Sequence, residues 1–252
     1  MISARLRNLA AALALVPAVG LLAGSPAQAA TDITVKSASA SKTTLVLGAK
    51  AGCSASVTFT AVLSAPLPTE GYALSGVGVD LYAPGASADD DSVDGVELDQ
   101  VGSTSTYKGS LKICGSYGAG KFQAEIYGVL VPEDATSDDD IEITNVVKVA
   151  ITVKRPSTLS FNASPEPVKK GKKLTATGTL KIDGKVLSGA AVKIYFKADG
   201  ASSYALKATA TTNSKGAYSK TFTASKSGTW KATYAGSTTR NAATAYDGVK
   251  VN

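Results

Sequence analysis

Apolar and polar residues alternate along most of the chain, as in β-strands that bury one face. In the run from Cys53 to Ala61, the odd positions are apolar or Cys and the even positions carry hydroxyl groups. Two further runs repeat the pattern, with one face formed by Tyr107, Leu111 and Ile113 and by Phe122, Ala124 and Ile126. With further runs at 43–48, 77–82, 96–101 and 141–153, the first half predicts about seven short antiparallel strands.

The second half predicts the same architecture, with strands at 157–163, 172–182, 190–198, 204–212, 217–223, 229–236 and 246–251. Asp183-Gly184 and Lys215-Gly216 stand between alternating runs and predict tight hairpin turns. Trp230, Ala232 and Tyr234 share one face, which favours a place for Trp230 in the core of a sandwich. The alternative is a sugar-stacking platform, formed by Trp230 with Tyr195, Tyr218 or Tyr246 beside it.

The first 29 residues have the three parts of a secretory signal peptide. Arg5 and Arg7 precede an apolar stretch at 9–22, and Ala27-Gln28-Ala29 supplies the small residues of a cleavage site. No Cys lies near that site, and the sequence LPTEG at 67–71 lacks the Thr position of an LPxTG wall-sorting signal. We therefore expect a secreted, released protein with no integral membrane span, no lipoprotein anchor and no wall-sorting anchor.

Charge divides the rest of the chain in two. Residues 31–153 carry seven Lys and sixteen Asp or Glu, for a net charge of −9, whereas residues 154–252 carry seventeen Lys or Arg and four acids, for +13. The sign changes at Lys154-Arg155-Pro156, a predicted hinge. We predict three segments, namely a signal peptide at 1–29, an acidic domain at 30–153 and a basic domain at 154–252.

A polyanion-binding patch is predicted in the basic domain. It consists of Lys169, Lys170, Lys172 and Lys173, and its field would attract an anionic cell-wall polymer or polysaccharide. The alternative is a lysine-rich face that only keeps the domain soluble. Arg155 and Arg240 are the only arginines after the signal segment, so specific recognition of nucleic acid is not expected.

Cysteine and histidine usage limits the chemistry. In an exported chain the two cysteines predict one disulfide, Cys53–Cys114. The sequence contains no His, which excludes Ser-His-Asp and Cys-His relays and His-ligated zinc or haem.

The acidic loop at 89–99 is the candidate metal site. From Asp90 it reads D-x-S-x-D-G, which offers oxygen ligands at alternate positions, and the candidates are Asp90, Ser92, Asp94 and Glu97. The twelfth position is Val101 rather than Glu, and a solvated acidic loop is the alternative. A second acidic cluster at 133–140 is expected at the opposite pole, so one shared metal site is not expected. Both clusters could also supply the carboxylate pair of a glycosidase.

Three stretches of the second domain resemble bacterial immunoglobulin-like domains. They are 189–196 (GAAVKIYF), 213–218 (NSKGAY) and 228–236 (GTWKATYAG). The resemblance covers most of 155–252 and implies a module for adhesion, spacing or display in a secreted or surface protein. Residues 30–153 are similar to the broader immunoglobulin class, which implies that Cys53–Cys114 joins two sheets. The signal segment and the whole arrangement resemble secreted proteins of high-GC Gram-positive bacteria.

Together these features predict an all-β protein with two tandem immunoglobulin-like β-sandwich domains after a signal peptide. The expected function is non-catalytic adhesion or scaffolding at the bacterial cell envelope or in the extracellular matrix, without a cofactor. The alternatives are a calcium-binding extracellular module that uses loop 89–99 and a secreted carboxylate-based hydrolase. The oligomeric state stays open.

Overall fold

The structure, a computed structural model, describes residues 33–87 and 90–252, so the predicted signal peptide and Asp89 lie outside the described residues. The chain forms two compact units. Of the described residues, the first unit contains 33–45, 50–87 and 90–153, and the second contains Val46–Ala49 together with Lys154–Asn252. Apart from short 3-10 turns at Gly115–Tyr117 and Asp138–Asp140, the regular secondary structure of the described residues is β-strand, which confirms the predicted fold class.

Nine strands form the sheets of the first half of the chain. They are β1 (Val35–Ala40), β2 (Thr44–Val46), β3 (Ala55–Leu63), β4 (Tyr72–Tyr82), β5 (Asp94–Gln100), β6 (Thr106–Ile113), β7 (Gly120–Pro132), β8 (Glu142–Ile143) and β9 (Val147–Lys154). Their order is β1-β3-β6-β5-β4-β7-β9-β2, with β8 beside β7. This order contains the two sheets of an immunoglobulin-like sandwich, β1-β3-β6-β5 and β4-β7-β9.

Strand β5 belongs to both sheets of this sandwich. Its first part pairs with β4, from Leu81↔Asp94 to Val77↔Leu98, and its last two residues pair with β6. At this corner a Cβ on Gly109 would lie 2.6 Å from the carbonyl oxygen of Glu97 and 2.8 Å from a methyl group of Leu98. A side chain at position 109 would therefore force the corner apart.

The predicted disulfide Cys53–Cys114 is present, and it joins strands of the same sheet. Cys53 precedes β3 and Cys114 follows β6, and these strands are antiparallel neighbours with Ala55 opposite Ile113. The expectation that the bridge joins two sheets is therefore wrong. The disulfide closes the end of the β3–β6 pair instead.

Two features of the first unit differ from the strand pattern predicted by alternation. β1 was not predicted, because it is a strand of small and polar residues in which Val35 alone is fully buried. The run at 141–153 is divided into β8 and β9 by Thr144 and Asn145. The Asn145 amide accepts a hydrogen bond from the Val35 N–H at 2.7 Å and donates one to the Val35 carbonyl at 3.1 Å.

The second unit contains the strands from β10 onward. They are β10 (Ser157–Leu159), β11 (Asn162–Ser164), β12 (Lys173–Ile182), β13 (Lys185–Val186), β14 (Ala191–Ala198), β15 (Ala205–Thr211), β16 (Ala217–Thr223), β17 (Gly228–Tyr234) and β18 (Ala243–Val249). In one sheet β12 pairs with β10, β11, β13 and β16, and the other sheet has the order β15-β14-β17-β18. The predicted run at 157–163 is two strands, and the last strand begins three residues earlier than predicted.

The two predicted turns of this unit have different roles. Asp183 and Gly184 both have positive φ, and they connect β12 to β13 in a tight hairpin in which Ile182 is opposite Lys185. Lys215-Gly216 is also a turn, in which the Gly216 N–H donates to the Asn213 carbonyl at 2.8 Å. It leads from β15 in one sheet to β16 in the other, so the predicted hairpin at this turn is wrong.

An aromatic cluster fills the core of the second unit. Trp230 is 5% exposed, and its ring lies 4.8 Å from that of Phe196 and 4.6 Å from that of Phe222, between centroids. The core position predicted for Trp230 is confirmed. Tyr218 is also buried, and its hydroxyl donates to the Ser160 carbonyl at 2.7 Å.

The segment Val46–Ala49 is hydrogen-bonded within the second unit. The Leu47 N–H donates to the Lys154 carbonyl at 2.9 Å, and the Arg155 guanidinium donates to the Leu47 carbonyl at 3.0 Å. The Ala49 N–H donates to the Asp183 carboxylate at 2.7 Å. The Lys154 carbonyl and the Arg155 side chain, which belong to the predicted hinge, are both hydrogen-bonded to Leu47 of this segment.

A row of buried polar side chains lies on the outer face of β4 and β7 in the first unit. Asp80 on β4 lies opposite Glu125 on β7, and both are less than 5% exposed. The Tyr127 hydroxyl donates to Asp80 at 2.6 Å. Glu125 accepts a hydrogen bond from Gln123 at 2.9 Å and pairs with Lys148 at 3.1 Å. Because buried carboxylates are costly without partners, these donors stabilise the burial of the row.

The disulfide generates the first prediction. Cys53→Ser/Cys114→Ser should lower the free energy of unfolding of the first unit by about 2–4 kcal/mol, because the bridge closes a long loop in the unfolded chain. Urea unfolding followed by tyrosine fluorescence measures this change in the part of the signal that does not follow Trp230, because each unit contains five of the ten tyrosines. The Trp230 transition is the internal control, since the second unit contains no Cys. A shift of the Trp230 transition equal to that of the tyrosine signal would contradict a local role for the bridge.

The buried polar row generates the second prediction. Tyr127→Phe should destabilise the first unit by about 1–3 kcal/mol, because it removes a hydrogen bond to a buried carboxylate. The matched control is Tyr246→Phe, at a side chain that is 59% exposed, where the change should stay within about 0.5 kcal/mol. Equal unfolding midpoints of the Tyr127→Phe variant and the unmodified protein in urea would show that this bond contributes no stability.

Candidate functional site

The candidate calcium ligands of the acidic loop are engaged in separate local contacts. The Asp90 carboxylate accepts hydrogen bonds from the N–H and the hydroxyl of Ser87, at 2.6 and 3.0 Å. These bonds, above all that from the backbone N–H, lower the pKa of Asp90. Asp94 accepts from the Gly95 N–H at 2.9 Å and from the Tyr117 hydroxyl at 2.7 Å. The bond to Asp94 raises the pKa of Tyr117 to about 12.

The other two candidate ligands lie farther along the loop and on β5. Ser92 precedes β5. Glu97 is on β5, and its carboxylate lies over the backbone of Gly76, 3.0 Å from where a Cβ would be. Across residues 33–87 and 90–252, no group of three or more acidic or Cys side chains is arranged to hold a metal ion. Calcium binding by this loop stays a prediction.

The second acidic cluster, at 133–140, forms a turn that is closed by its own hydrogen bonds. Asp138–Asp140 is one turn of 3-10 helix, and the Asp140 carboxylate accepts from the N–H groups of Thr136 and Ser137 at 2.7 and 2.8 Å. These two bonds are the main cause of the lowered pKa of Asp140. The cluster follows Pro132, which is opposite Tyr72 at the start of β4, whereas the first acidic loop follows the end of β4. The predicted placement at opposite poles is confirmed.

A polar cavity of about 310 Å³ lies beside the buried row of the first unit. Its lining includes Tyr82, Ser87, Lys121, Gln123, Glu125 and Lys148. Sequence alternation did not single out Asp80 or Glu125, because their opposition depends on how β4 and β7 pair. A hydrolytic carboxylate pair must face one substrate. Glu125 is part of this lining, whereas Asp80 is not.

The four predicted polyanion-binding lysines lie together on one turn. We call Lys169, Lys170, Gly171, Lys172 and Lys173 the lysine turn, and all of its residues are exposed. The Lys172 N–H donates to the Lys169 carbonyl at 3.0 Å, and the Gly171 N–H donates to the Ala224 carbonyl at 2.8 Å. Gly171 has a φ of 81°, a conformation that a residue with a Cβ adopts at a cost. The backbone of this turn therefore keeps the four lysines next to one another at the start of β12.

The residues proposed for a sugar-stacking platform are divided between the core and the surface. Trp230 and Tyr218 are buried in the core. Tyr195 and Tyr246 lie on the outer face of the sheet β15-β14-β17-β18, where both are paired with Lys231 across adjacent strands. Tyr204, which immediately precedes β15, joins them. It begins the predicted run 204–212, but it was not singled out because its neighbours on this face come from other strands.

A cavity of about 410 Å³ with both apolar and polar walls opens at one side of the second unit. Its lining includes Leu174, Phe196, Phe222 and Trp230, with Lys207 and Lys226 as the charged residues. Ala224, which binds the backbone of the lysine turn, also contributes to the lining. The Trp230 ring therefore borders solvent-accessible space although it belongs to the core.

In the part of the chain that the structure describes, no helix has the length and apolar character needed to cross a membrane.

Comparison with known proteins gives matches in structure and none in sequence. No protein-family model matches the chain, and no curated protein matches its sequence. A marsupial T cell receptor is 11% identical over 87% of this chain and 73% of the receptor, with a TM-score of 0.41. The fibronectin(III)-like modules of Clostridium thermocellum CbhA are 16% identical, over 87% of this chain and 92% of theirs, with a TM-score of 0.31. The D0-D1 domain of intimin is 19% identical, over 86% of this chain and 98% of its own, with a TM-score of 0.28.

Proposed function

We propose that the protein is an extracellular, non-catalytic adhesion or scaffolding protein that attaches to anionic polymers of the bacterial envelope or matrix through its basic unit. The observation that carries this proposal is the lysine turn. Four exposed ammonium groups lie on one hydrogen-bonded turn of a unit in which residues 154–252 have a net charge of +13. Charges gathered in this way sum to a field that attracts a polyanion.

Further lysines extend the positive field of the lysine turn. The Lys170 N–H donates to the Asn252 carbonyl at 2.8 Å, and the Val168 N–H donates to the Lys250 carbonyl at 3.0 Å. Lys250 is therefore close in the fold to the turn, and Lys226 follows Ala224, which binds Gly171 and Lys172. Glu166 is the acidic residue in the same connection between β11 and β12.

The chemistry of lysine favours a polymer recognised by its charge rather than by its sequence. An ammonium group is a compact, strongly hydrated charge on a flexible stem, whereas the arginine fork binds phosphate or carboxylate in a fixed geometry. The lysine turn contains no arginine. A repeating anionic polymer supplies many equivalent charges to such a site, so attachment does not require one exact register.

The disulfide and the predicted export signal support an extracellular location. A disulfide persists in oxidising surroundings and is rare in the cytosol, and the first unit is closed by Cys53–Cys114. The absence of His from the sequence supports a role in binding, because it excludes the commonest acid–base relays.

The lysine turn generates the third prediction. The substitution of Lys169, Lys170, Lys172 and Lys173 by Gln in the full chain should weaken binding to dextran sulfate about tenfold or more at about 50 mM salt. The matched control replaces four exposed lysines of the first unit by Gln, Lys36, Lys42, Lys50 and Lys108, and so removes the same charge. Biolayer interferometry with immobilised dextran sulfate, and with uncharged dextran as the second surface, measures both variants.

The control variant should retain most of the binding, and binding of the unmodified protein should fall as salt rises, because exposed charges are screened over about 8 Å at physiological ionic strength. Equal losses in the two variants would mean that net charge acts without a site. Equal binding to dextran and dextran sulfate would mean that charge is not the basis of adhesion.

A further inference from the structure

Four residues form a continuous row across the outer face of the second unit. Leu206 on β15, Tyr195 on β14, Lys231 on β17 and Tyr246 on β18 are direct partners on adjacent antiparallel strands. Partners of this kind point to the same face of a sheet. Trp230 and Ala232, on either side of Lys231, are buried in the core, so the row faces outward.

The rings and ammonium groups around this row form one cluster. The Lys231 ammonium lies 4.7 Å from the centre of the Tyr195 ring and 4.2 Å from that of Tyr204. The Lys197 ammonium lies 5.4 Å from the Tyr204 ring, and the ring centres of Tyr204 and Tyr246 are 6.3 Å apart. We call this set, with Leu206, the tyrosine–lysine strip. Cation–π contacts hold its ammonium groups beside the rings.

Two large side chains of the strip are unusually exposed to solvent. Tyr246 is 59% exposed and Leu206 is 53% exposed. Exposed apolar groups that adjoin one another in this way are typical of interaction surfaces, whereas single ones are normal on any protein. If these side chains only stabilised the sheet, we would expect them to be buried.

The positive charge of this face favours a negatively charged ligand. Among the strand positions of residues 191–249 that are paired in this sheet and point outward, the charged residues are Lys193, Lys197 and Lys231. Lys193 and Lys197 are on either side of Tyr195 along β14. A ligand on the strip would therefore meet aromatic rings and positive charges in alternation.

We propose that the tyrosine–lysine strip binds an acidic polysaccharide, a polymer of uronic acid residues. The flat C–H face of a sugar ring can lie against a tyrosine ring, and its carboxylate can pair with a neighbouring lysine ammonium. A uronic acid polymer repeats both groups along its length and so matches the alternation of the strip. The strip is separate from the lysine turn, and the proposal rests on the proposed function only for the extracellular setting.

Single-stranded nucleic acid is the competing ligand, because bases stack on aromatic side chains and phosphates pair with cations. The residues favour the polysaccharide. The cations of the strip are lysines, whereas sites for single-stranded nucleic acid also use arginine, which stacks on bases as well as pairing with phosphate. Arg155 and Arg240 lie outside the four strands that carry the strip.

The test measures binding of the full chain to four polymers by biolayer interferometry. The probes are polygalacturonate, its fully methyl-esterified form, polyglutamate and oligothymidylate. The variants are Tyr246→Ala and Tyr195→Ala, with Tyr246→Phe as the control that keeps the ring and Lys215→Met as a control for loss of one exposed charge. The unfolding transition of Trp230 checks that each variant keeps the fold of the second unit.

The expected result is that each Tyr→Ala change weakens binding to polygalacturonate about fivefold or more, the loss typical of a central contact in an interface. Binding to polyglutamate, which has charge but no sugar rings, should be unchanged. Tyr246→Phe and Lys215→Met should retain binding to polygalacturonate, and the methyl ester should bind weakly because it lacks carboxylates.

Three results would overturn the proposal. They are unchanged polygalacturonate binding in both Tyr→Ala variants, equal binding of the methyl ester, and tighter, tyrosine-dependent binding of oligothymidylate. The variant with four Gln residues in the lysine turn separates this proposal from the proposed function. If that variant loses affinity for all polyanions while the Tyr→Ala variants lose none, the lysine turn acts alone. If the Tyr→Ala variants lose affinity and the lysine-turn variant does not, the strip is the site.

Discussion

The burial of one face of each long strand is the constraint on which the rest of the structure depends. In β3, Val57, Phe59 and Ala61 are fully buried while the residues between them carry hydroxyl groups. Successive side chains of a strand point to opposite faces, so burial of one set of residues in the core directs the alternate set to the outer face. In β17 the burial of Trp230 and Ala232 therefore directs Lys231 outward, where it lies between Tyr195 and Tyr204. The surface chemistry of the second unit follows from its core.

The outer faces of the sheets are covered to different extents in the two units. In the first unit the central strands β4 and β7 are buried on both faces. Tyr127, Val129 and Val131 form a small outer core, covered in part by residues from the connection after β7, such as Ile141 and Val146. In the second unit the outer face of β14, β17 and β18 stays open. The open sheet of the second unit carries lysine and tyrosine on this face.

Acidic and basic residues also make different contacts because their side chains differ in length. A short aspartate side chain reaches backbone N–H groups nearby, and Asp90 and Asp140 use this reach to fix their own loops. A lysine holds its ammonium at the end of a flexible stem, so the lysine turn is fixed by its backbone while its charges project into solvent. Similar clustering of charge in the sequence thus gives turns closed by their own hydrogen bonds in one unit and outward-facing charges in the other.

The sequence by itself determined what depends on neighbouring residues or on counting. Alternation predicted most strands, two cysteines permitted one intramolecular disulfide, and the charge of each half followed from composition. The tertiary structure decided what depends on strand order and register. It divided β5 between two sheets, put Cys53–Cys114 within one sheet, set Asp80 opposite Glu125, and brought Tyr204 to Lys231. These contacts join residues far apart in the chain, and a shift of one residue in register would send each side chain to the opposite face.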